Sequence, residues 1–333
     1  MMKAPKKIYI AITGLLMAAA TQANAAGCNP SPCKPEYCQP ECVSECECDT
    51  NDNEFNIYGE LLYWTPSLRG LQSAFGNTSI ATVANTPTFT TTTITESDVK
   101  PHSKWSPGWR VGADFVFGCC LDLAADWTHF DGHASHKSGG QHGRWNIKYD
   151  VIDLTLGSFW YTSPCFYFKP FIGVRGAIIH QTLTSHLETL VTSSAGSNIT
   201  LTDMNDKENF WGVGPELGIE ANWCIGWNLS LYAMFDVVTY YGNVKATNHD
   251  TDTFTRTANV TNATSKDWFN NIGTDGAVGI RWDTIWYQCG YDITCMLKLG
   301  LEQHRIYDFS NLGSDGTLSL DGGVFAAGVG VRF

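Results

Sequence analysis

A two-residue alternation of apolar and polar side chains is the feature that most constrains this chain, because two is the side-chain period of a β-strand. Trp109, Val111, Ala113, Phe115 and Phe117 fall on one face, and Arg110, Gly112 and Asp114 fall on the other. After a short Gly118-Cys119-Cys120 turn, Leu121, Leu123, Ala125 and Trp127 oppose Asp122, Ala124 and Asp126. One apolar face and one charged face predict a hairpin that lies between lipid and a polar lumen.

The same alternation recurs along the chain and predicts ten strands. They cover residues 55–64, 109–117, 121–127, 145–161, 166–175, 211–222, 229–237, 272–283, 293–302 and 323–333. The phase changes near Val151 and Ile152, which predicts a β-bulge there. An even number of strands suits the antiparallel barrel of a bacterial outer membrane, and a further hairpin within residues 70–93 would make twelve.

The predicted connections alternate strictly between short and long. The short ones lie near residues 118–120, 163–165, 224–227 and 284–292, and the long ones near 65–104, 131–143, 185–209, 243–268 and 306–319. Short periplasmic turns and long external loops are typical of outer-membrane barrels, whereas a soluble β-sandwich has no reason to alternate them.

Tryptophans gather near both ends of the predicted strands. Trp64, Trp109, Trp127, Trp145, Trp211 and Trp268 lie toward the long connections, and Trp160, Trp223, Trp227, Trp282 and Trp286 toward the short turns. This placement predicts two interfacial girdles. Ordinary core tryptophans of a soluble β protein are the alternative.

Composition excludes several classes of protein. The 33 Asp and Glu residues outnumber the 21 Lys and Arg residues, so the net charge of −12 gives no basic surface for nucleic acid. No apolar run reaches the roughly 18 residues of a membrane-spanning helix. With 43% hydrophobic residues the chain is too apolar to be disordered.

Residues 1–25 have the pattern of an export signal, with three lysines, an apolar stretch from Ile8 to Ala20 and the small-residue site Ala23-Asn24-Ala25. Residues 26–54 then form a segment that is rich in Cys and Pro and that we expect in the periplasm. Residues 55–333 are predicted to form the barrel domain. Acylation of Cys28 is an alternative reading of the cleavage region.

Cysteines are the candidates for disulfide bonds, because an exported chain meets an oxidising compartment. Six lie in one stretch, at Cys28, Cys33, Cys38, Cys42, Cys46 and Cys48. Five lie in or beside short turns, at Cys119, Cys120, Cys165, Cys224 and Cys289, and Cys295 lies near the start of the strand that follows. Their pairing stays open, since six cysteines alone allow 15 pairings. Zinc binding by the first six is the alternative, although no His lies among them. All twelve thiols are predicted on the periplasmic side.

Fifteen charged residues are predicted to face the lumen. The acidic ones are Glu60, Asp114, Asp122, Asp126, Glu216, Glu220, Asp236, Asp275 and Glu302, and the basic ones are Arg110, Lys169, Arg175, Arg281, Lys298 and Arg332. Nine acids against six bases favour small cations if the lumen is wet. Barrels of about eight strands are filled by side chains, so ten strands also allow a lumen plugged by salt bridges.

The segment Tyr58-Gly59-Glu60-Leu61-Leu62-Tyr63-Trp64-Thr65-Pro66, the Cys-rich start and the terminal Phe333 resemble the Legionella-type major outer membrane proteins and the MOMP-like porins of chlamydia-related bacteria. The resemblance implies an abundant pore-forming barrel, often cross-linked by disulfides, with Phe333 as part of its membrane-insertion signal. It implies as partners outer-membrane lipid, the barrel-assembly machinery, homo-oligomeric or disulfide-linked neighbours and host surfaces. The alternative function is a plugged structural barrel that acts as an adhesin or envelope scaffold.

Enzyme motifs are weak in this sequence. His129, His133, His136 and His142 cluster beside a long connection, but their spacing is irregular and only Asp131 accompanies them. No nucleophile elbow or phosphate-binding loop occurs. We therefore expect no catalytic residue, no metal and no cofactor.

Overall fold

The computed structural model describes residues 53–71, 101–117, 121–138, 141–163, 165–193, 196–254, 257–288, 291–310, 312 and 316–333. The chain divides into two units, Met1–Gln39 and Pro40–Phe333. The first unit lies outside the described residues, as do the predicted export signal and nine of the twelve cysteines.

Twelve strands make up the regular structure of the described residues. They are β1 (Glu54–Leu68), β2 (His102–Ser103), β3 (Ser106–Phe117), β4 (Leu121–Ser138), β5 (Gln141–Ser158), β6 (Trp160–Ser163), β7 (Phe166–Ser193), β8 (Gly196–Gly226), β9 (Leu229–Phe254), β10 (Thr257–Gln288), β11 (Tyr291–Ile306) and β12 (Leu318–Arg332). No helix in this part of the chain is long and apolar enough to cross a membrane.

Ten of these strands close into an antiparallel barrel. Each pairs with its neighbours along the chain, and the barrel closes where β1 pairs with β12 along its whole length, from Glu54 opposite Arg332 to Leu68 opposite Leu318. The short strands β2 and β6 add to the edges of β4 and β7. The prediction of an all-β barrel with ten strands is confirmed, and residues 72–100, where a further hairpin was considered, lie outside the described residues.

The strands are much longer than predicted. A tilted strand crosses a bilayer in about 9–11 residues, whereas β7 to β10 contain 28, 31, 26 and 32 residues. The predicted long loops at 131–143, 185–209 and 243–268 are therefore wrong. They are the continuing β4–β5, β7–β8 and β9–β10 hairpins, and we call this side of the barrel the long-hairpin end and the opposite side the short-turn end.

The polarity of the inward and outward faces reverses between these two ends: near the short turns the outward face is apolar, and near the long hairpins the inward face is apolar. Along β5, Ile152, Leu154 and Leu156 are exposed and Asp153 is buried, whereas nearer the hairpin Ile147 is buried and Lys148 is exposed. The register of β5 with β4 and with β7 runs through this point without a shift. The predicted bulge at residues 151–152 is therefore wrong, because the side chains keep alternating and only their polarity changes.

An exposed apolar band surrounds the barrel on its short-turn side and defines the lipid-facing surface. Beyond the band, the interior of the long-hairpin end is filled by an apolar cluster. Its strand-borne members include Trp64, Phe130, Trp145, Ile147, Ile179, Leu183, Phe210 and Tyr240. The assignment of Trp64 and Trp145 to a girdle is therefore wrong, since both are fully buried inside the barrel, while Trp127, Trp211 and Trp268 are exposed as predicted.

The turn between β8 and β9 shows how tightly the short-turn end is connected. Gly226 pairs with Leu229, so only Trp227 and Asn228 form the loop, with φ angles of 54° and 63°. Two successive positive φ angles are those of a type I′ turn, whose twist matches that of the flanking strands. Trp227 occupies this conformation with its side chain almost fully exposed.

Candidate functional site in the barrel lumen

The inward faces of the strands within the lipid-facing band surround a polar cavity of about 460 Å³. All fifteen charged residues that the sequence analysis placed in the lumen line this cavity. The cavity begins at the short-turn end, beside Glu54 and Arg332, and extends inward as far as Tyr149 and His304. The barrel closure brings these side chains together from all ten strands.

Arg175 is the centre of the first charge cluster. It extends from β7 and is buried, with Nη2 2.8 Å from Oε1 of Glu216 on β8 and Nη1 3.3 Å from Oδ1 of Asp236 on β9. It also contacts Asp153 on β5 and Asp275 on β10. Four carboxylates from four other strands therefore surround one guanidinium, and its planar array of donors fits several oxygens at once.

Arg110 is the centre of the second cluster. It extends from β3, with Nη1 3.1 Å from Oε1 of Glu302 on β11 and Nε 3.8 Å from Oδ1 of Asp126 on β4. It also contacts Glu60 on β1, which accepts a second contact of 3.2 Å from Nζ of Lys298. Buried charges persist in this position because each is paired.

His304 joins the two clusters. Its Nδ1 atom lies 3.1 Å from Oδ1 of Asp275, in the Arg175 cluster, and its Nε2 atom lies 3.4 Å from Oε2 of Glu302, in the Arg110 cluster. His304, Asp153 and Glu54 line the cavity but were not among the residues predicted to face the lumen. The alternation of β11 identifies His304, which falls in phase with Glu302, and Asp153 was hidden by the supposed bulge in β5.

Four further contacts lie nearer the short-turn end. Nζ of Lys169 is 2.7 Å from Oδ2 of Asp122 and 3.1 Å from Oε2 of Glu220. Asp114 accepts a 2.8 Å hydrogen bond from the side-chain amide of Asn56. Nε of Arg281, which is only half-buried, lies 2.9 Å from Oδ1 of Asp283. This part of the lumen is therefore more accessible than the arginine clusters.

The cavity carries a surplus of negative charge. Among the described residues, eleven Asp and Glu side chains and six Lys and Arg side chains line it, an excess of five acids. Oε2 of Glu216, Oδ2 of Asp236 and Oδ1 of Asp122 are buried without a hydrogen-bond partner in the described structure. The geometry therefore suits small cations or water beside these oxygens.

The apolar cluster closes the lumen above the charge clusters. Part of this cluster comes from the connection between β11 and β12, where Phe309 and Leu312 are buried and the Phe309 ring lies 5.4 Å from that of Phe210. Between them, Oγ of Ser310 donates a 2.9 Å hydrogen bond to Oε2 of Glu208 and accepts one of 3.2 Å from Nε2 of Gln181. This polar contact holds the connection inside the barrel mouth.

Three of the candidate disulfide cysteines are described, namely Cys165, Cys224 and Cys295. The backbone N–H of Cys224 donates a 2.7 Å hydrogen bond to the carbonyl of Cys165, so these two residues lie side by side at the short-turn end. No disulfide joins any two of the three. Cys28, Cys33, Cys38, Cys42, Cys46, Cys48, Cys119, Cys120 and Cys289 lie outside the described residues.

The four clustered histidines do not converge. His129 and His133 point outward on β4, with Nδ1 of His129 2.7 Å from Oδ1 of Asp150, while His142 on β5 stacks on His186. Within the described ranges, no group of three His, Cys, Asp or Glu side chains is arranged to hold a metal ion.

A closed antiparallel barrel with an exposed apolar band and a charged interior defines this chain as an outer-membrane β-barrel protein. The family described as the Legionella pneumophila major outer membrane protein precursor matches residues 47–294, so the chain belongs to this family and is located in the outer membrane. No curated protein sequence gives a match.

Solved barrels of similar architecture have low sequence identity to this chain. The outer membrane protease OmpT of Escherichia coli is 12% identical, with 86% of this chain and 98% of that chain covered and a TM-score of 0.39. The toluene transporter TodX of P. putida is 10% identical, with 85% and 90% covered and a TM-score of 0.31. OprG of Pseudomonas aeruginosa is 10% identical, with 85% and 96% covered and a TM-score of 0.27.

Proposed function

We propose that this protein is a narrow channel for small hydrophilic solutes and ions, with a mild preference for cations, and that the described conformation is closed. The observation that carries the proposal is the acidic cavity that extends from the short-turn end to the apolar cluster. A barrel with only a structural role does not need a charged cavity, because buried ion pairs can often be replaced by well-packed apolar side chains with no loss of stability. The long-hairpin half of this same barrel is filled in that apolar way.

Conduction in this proposal requires the mouth of the barrel to open. The β11–β12 connection supplies Phe309 and Leu312 to the apolar cluster, and it is held by the contact between Ser310 and Glu208. Release of this contact removes two apolar side chains from the mouth. Trp64 and Trp145 lie on strands and remain, so the open path is narrow and the conductance is small.

A plugged structural barrel is the second candidate. It is favoured by the strand-borne side chains of the apolar cluster, which stay in the lumen when the connection moves. Planar-bilayer recording of the purified protein separates the two functions. Small conductance steps, with a reversal potential of the sign expected for cation selectivity, support the channel. Absence of conductance from correctly folded protein supports the structural barrel.

We also propose that disulfides at the short-turn end link the protein into the cell envelope. The proximity of Cys165 and Cys224 and the six cysteines of residues 28–48 support a thiol-rich periplasmic side. Non-reducing electrophoresis of cells whose thiols are blocked at harvest tests this role. Ladders that collapse to monomer with reductant are expected, and monomer alone contradicts cross-linking between molecules.

A further inference from the structure

Four polar residues form one continuous row across the outer face of the barrel. His180 on β7 lies opposite Asn209 on β8, Asn209 opposite Lys245 on β9, and Lys245 opposite Lys266 on β10. Each pair is in direct register, and neighbouring strands are about 4.8 Å apart. The four side chains therefore cover a compact patch, which we call the lysine row.

The lysine row lies directly above the edge of the lipid-facing band. The next outward row toward the short-turn end contains Ile178, Trp211, Asn243 and Trp268. The Trp211 and Trp268 rings are 5.9 Å apart and cover Asn243, and Tyr241 stacks on Trp268 at 5.4 Å. Exposed tryptophan and tyrosine mark the level of lipid headgroups, so the lysine row is at headgroup height.

The two lysines lack compensating charge. Lys245 and Lys266 are exposed, and neither has an ion-pair partner among the described residues. Like charges directly opposite each other on adjacent strands are destabilising. By contrast, Lys148 on β5, in the same row beyond His180, has Nζ 3.8 Å from Oδ2 of Asp131. A bound anion between Lys245 and Lys266 would relieve their repulsion.

Asn209 contributes a neutral donor beside the lysines. Nδ1 of His180 lies 2.6 Å from Oδ1 of Asn209. Because that oxygen only accepts, the histidine donates, and the side-chain amide of Asn209 keeps its N–H groups for another acceptor. These side chains line a surface groove of about 570 Å³ that also includes the exposed side chains of Ile178 and Trp211.

We propose that this groove binds the phosphorylated sugar headgroup of the outer-leaflet glycolipid. A phosphate lies between Lys245 and Lys266 and accepts from Asn209, and the acyl chains run along the apolar surface beside Ile178 and Trp211. The positive charge of the row is complementary to a phosphate. A lipid is favoured over a free anion because the groove is continuous with the lipid-facing band.

The test measures binding of diphosphorylated lipid A to the full-length barrel in a neutral detergent, by native mass spectrometry and by the shift in thermal unfolding midpoint. The variant Lys245→Gln/Lys266→Gln is expected to bind roughly thirtyfold more weakly, the factor that corresponds to about 1 kcal/mol for each lysine. The charge-preserving variant Lys245→Arg/Lys266→Arg is expected to keep binding. Dephosphorylated lipid A is expected to bind no better to the wild type than to the Gln variant.

The matched control is Lys104→Gln/Lys137→Gln, which removes two exposed lysines outside the groove and leaves binding unchanged. Heat-modifiable migration in electrophoresis verifies that each variant is folded. Equal affinity of the wild type and the Lys245→Gln/Lys266→Gln variant overturns the proposal. Full competition by inorganic phosphate at the lipid concentration also overturns it, because the site would then recognise an anion alone.

Discussion

The Nδ1 atom of His304 on β11 lies 3.1 Å from Oδ1 of Asp275, its direct register partner on the neighbouring strand β10. Together with the contact between His304 and Glu302, this distance makes one network of the Arg175 and Arg110 clusters. The network crosses the barrel below the apolar cluster. Arg175 and Arg110 reach across the lumen to Asp275 and Glu302 on strands that are not their neighbours, so the network joins separate walls of the barrel.

Replacement of Arg175 is expected to destabilise the barrel strongly. Arg175→Met leaves Asp153, Glu216, Asp236 and Asp275 buried without their common cation, and removal of one partner of a buried pair costs about 3–5 kcal/mol. Urea unfolding in detergent measures the change. Lys148→Gln removes an exposed pair and serves as the control, with a change of at most about 1 kcal/mol. Equal stabilities of the two variants would show that the cluster contributes nothing.

Truncation of Phe309 is expected to increase conductance. Phe309→Ala removes a buried ring from the barrel mouth and its contact with Phe210, at a cost of about 3–5 kcal/mol if the site does not collapse. Larger or more frequent conductance steps in bilayers are the expected result. Phe325→Ala, which truncates an exposed ring of the lipid-facing band, is the control with unchanged conductance. A silent Phe309→Ala variant that folds normally favours the plugged barrel.

Neutralisation of Asp122 is expected to weaken the cation preference. Asp122→Asn removes one negative charge from the lumen and leaves Lys169 with Glu220 as its remaining acidic partner, so the local potential becomes more positive. The reversal potential in a salt gradient shifts toward zero. Asp131→Asn changes the same charge on the outer face and is expected to leave the reversal potential unaltered. An identical shift in both variants would mean that surface charge sets the selectivity.

Stability is expected to depend on pH through Asp206. This residue lies outside the lipid-facing band, since it is five residues beyond Trp211 on β8. Burial, reinforced by repulsion from Asp250, raises the pKa of Asp206 to about 6. The unfolded value is about 3.9. The folded protein therefore holds the proton more tightly, and its stability falls as pH rises from about 4 to about 6.

Asp206→Asn is accordingly expected to stabilise the protein at pH 7 and to leave it unchanged at pH 4. Unfolding midpoints of variant and wild type at the two pH values measure this difference. Asp203→Asn, at an exposed position on the same strand, is the control. A lower stability of Asp206→Asn at pH 7 contradicts the assignment.

The sequence was sufficient to predict the barrel, its ten strands and fifteen of the charged residues that line its cavity. This follows from the two-residue period, which assigns Asp122 and Leu123 to opposite faces without reference to any other strand. The two-residue period does not show whether a given face contacts lipid, water or other side chains. For this reason Trp64 and Trp145 were placed in a girdle, and the change of polarity in β5 was taken as a bulge.

Only the tertiary structure decided where along each strand the lipid-facing surface ends and which charged side chains pair with each other. Beyond the lipid-facing band the outer surface is polar, so Ile147 turns inward with the same alternation that puts Asp153 inward within the band. The contact of Arg175 with Asp275 joins residues 100 positions apart, and that of Arg110 with Glu302 joins residues 192 apart. The local alternation of side chains shows on which face of a strand a residue lies. Contacts between distant residues depend on the closure of the barrel, because closure sets the distances across the lumen.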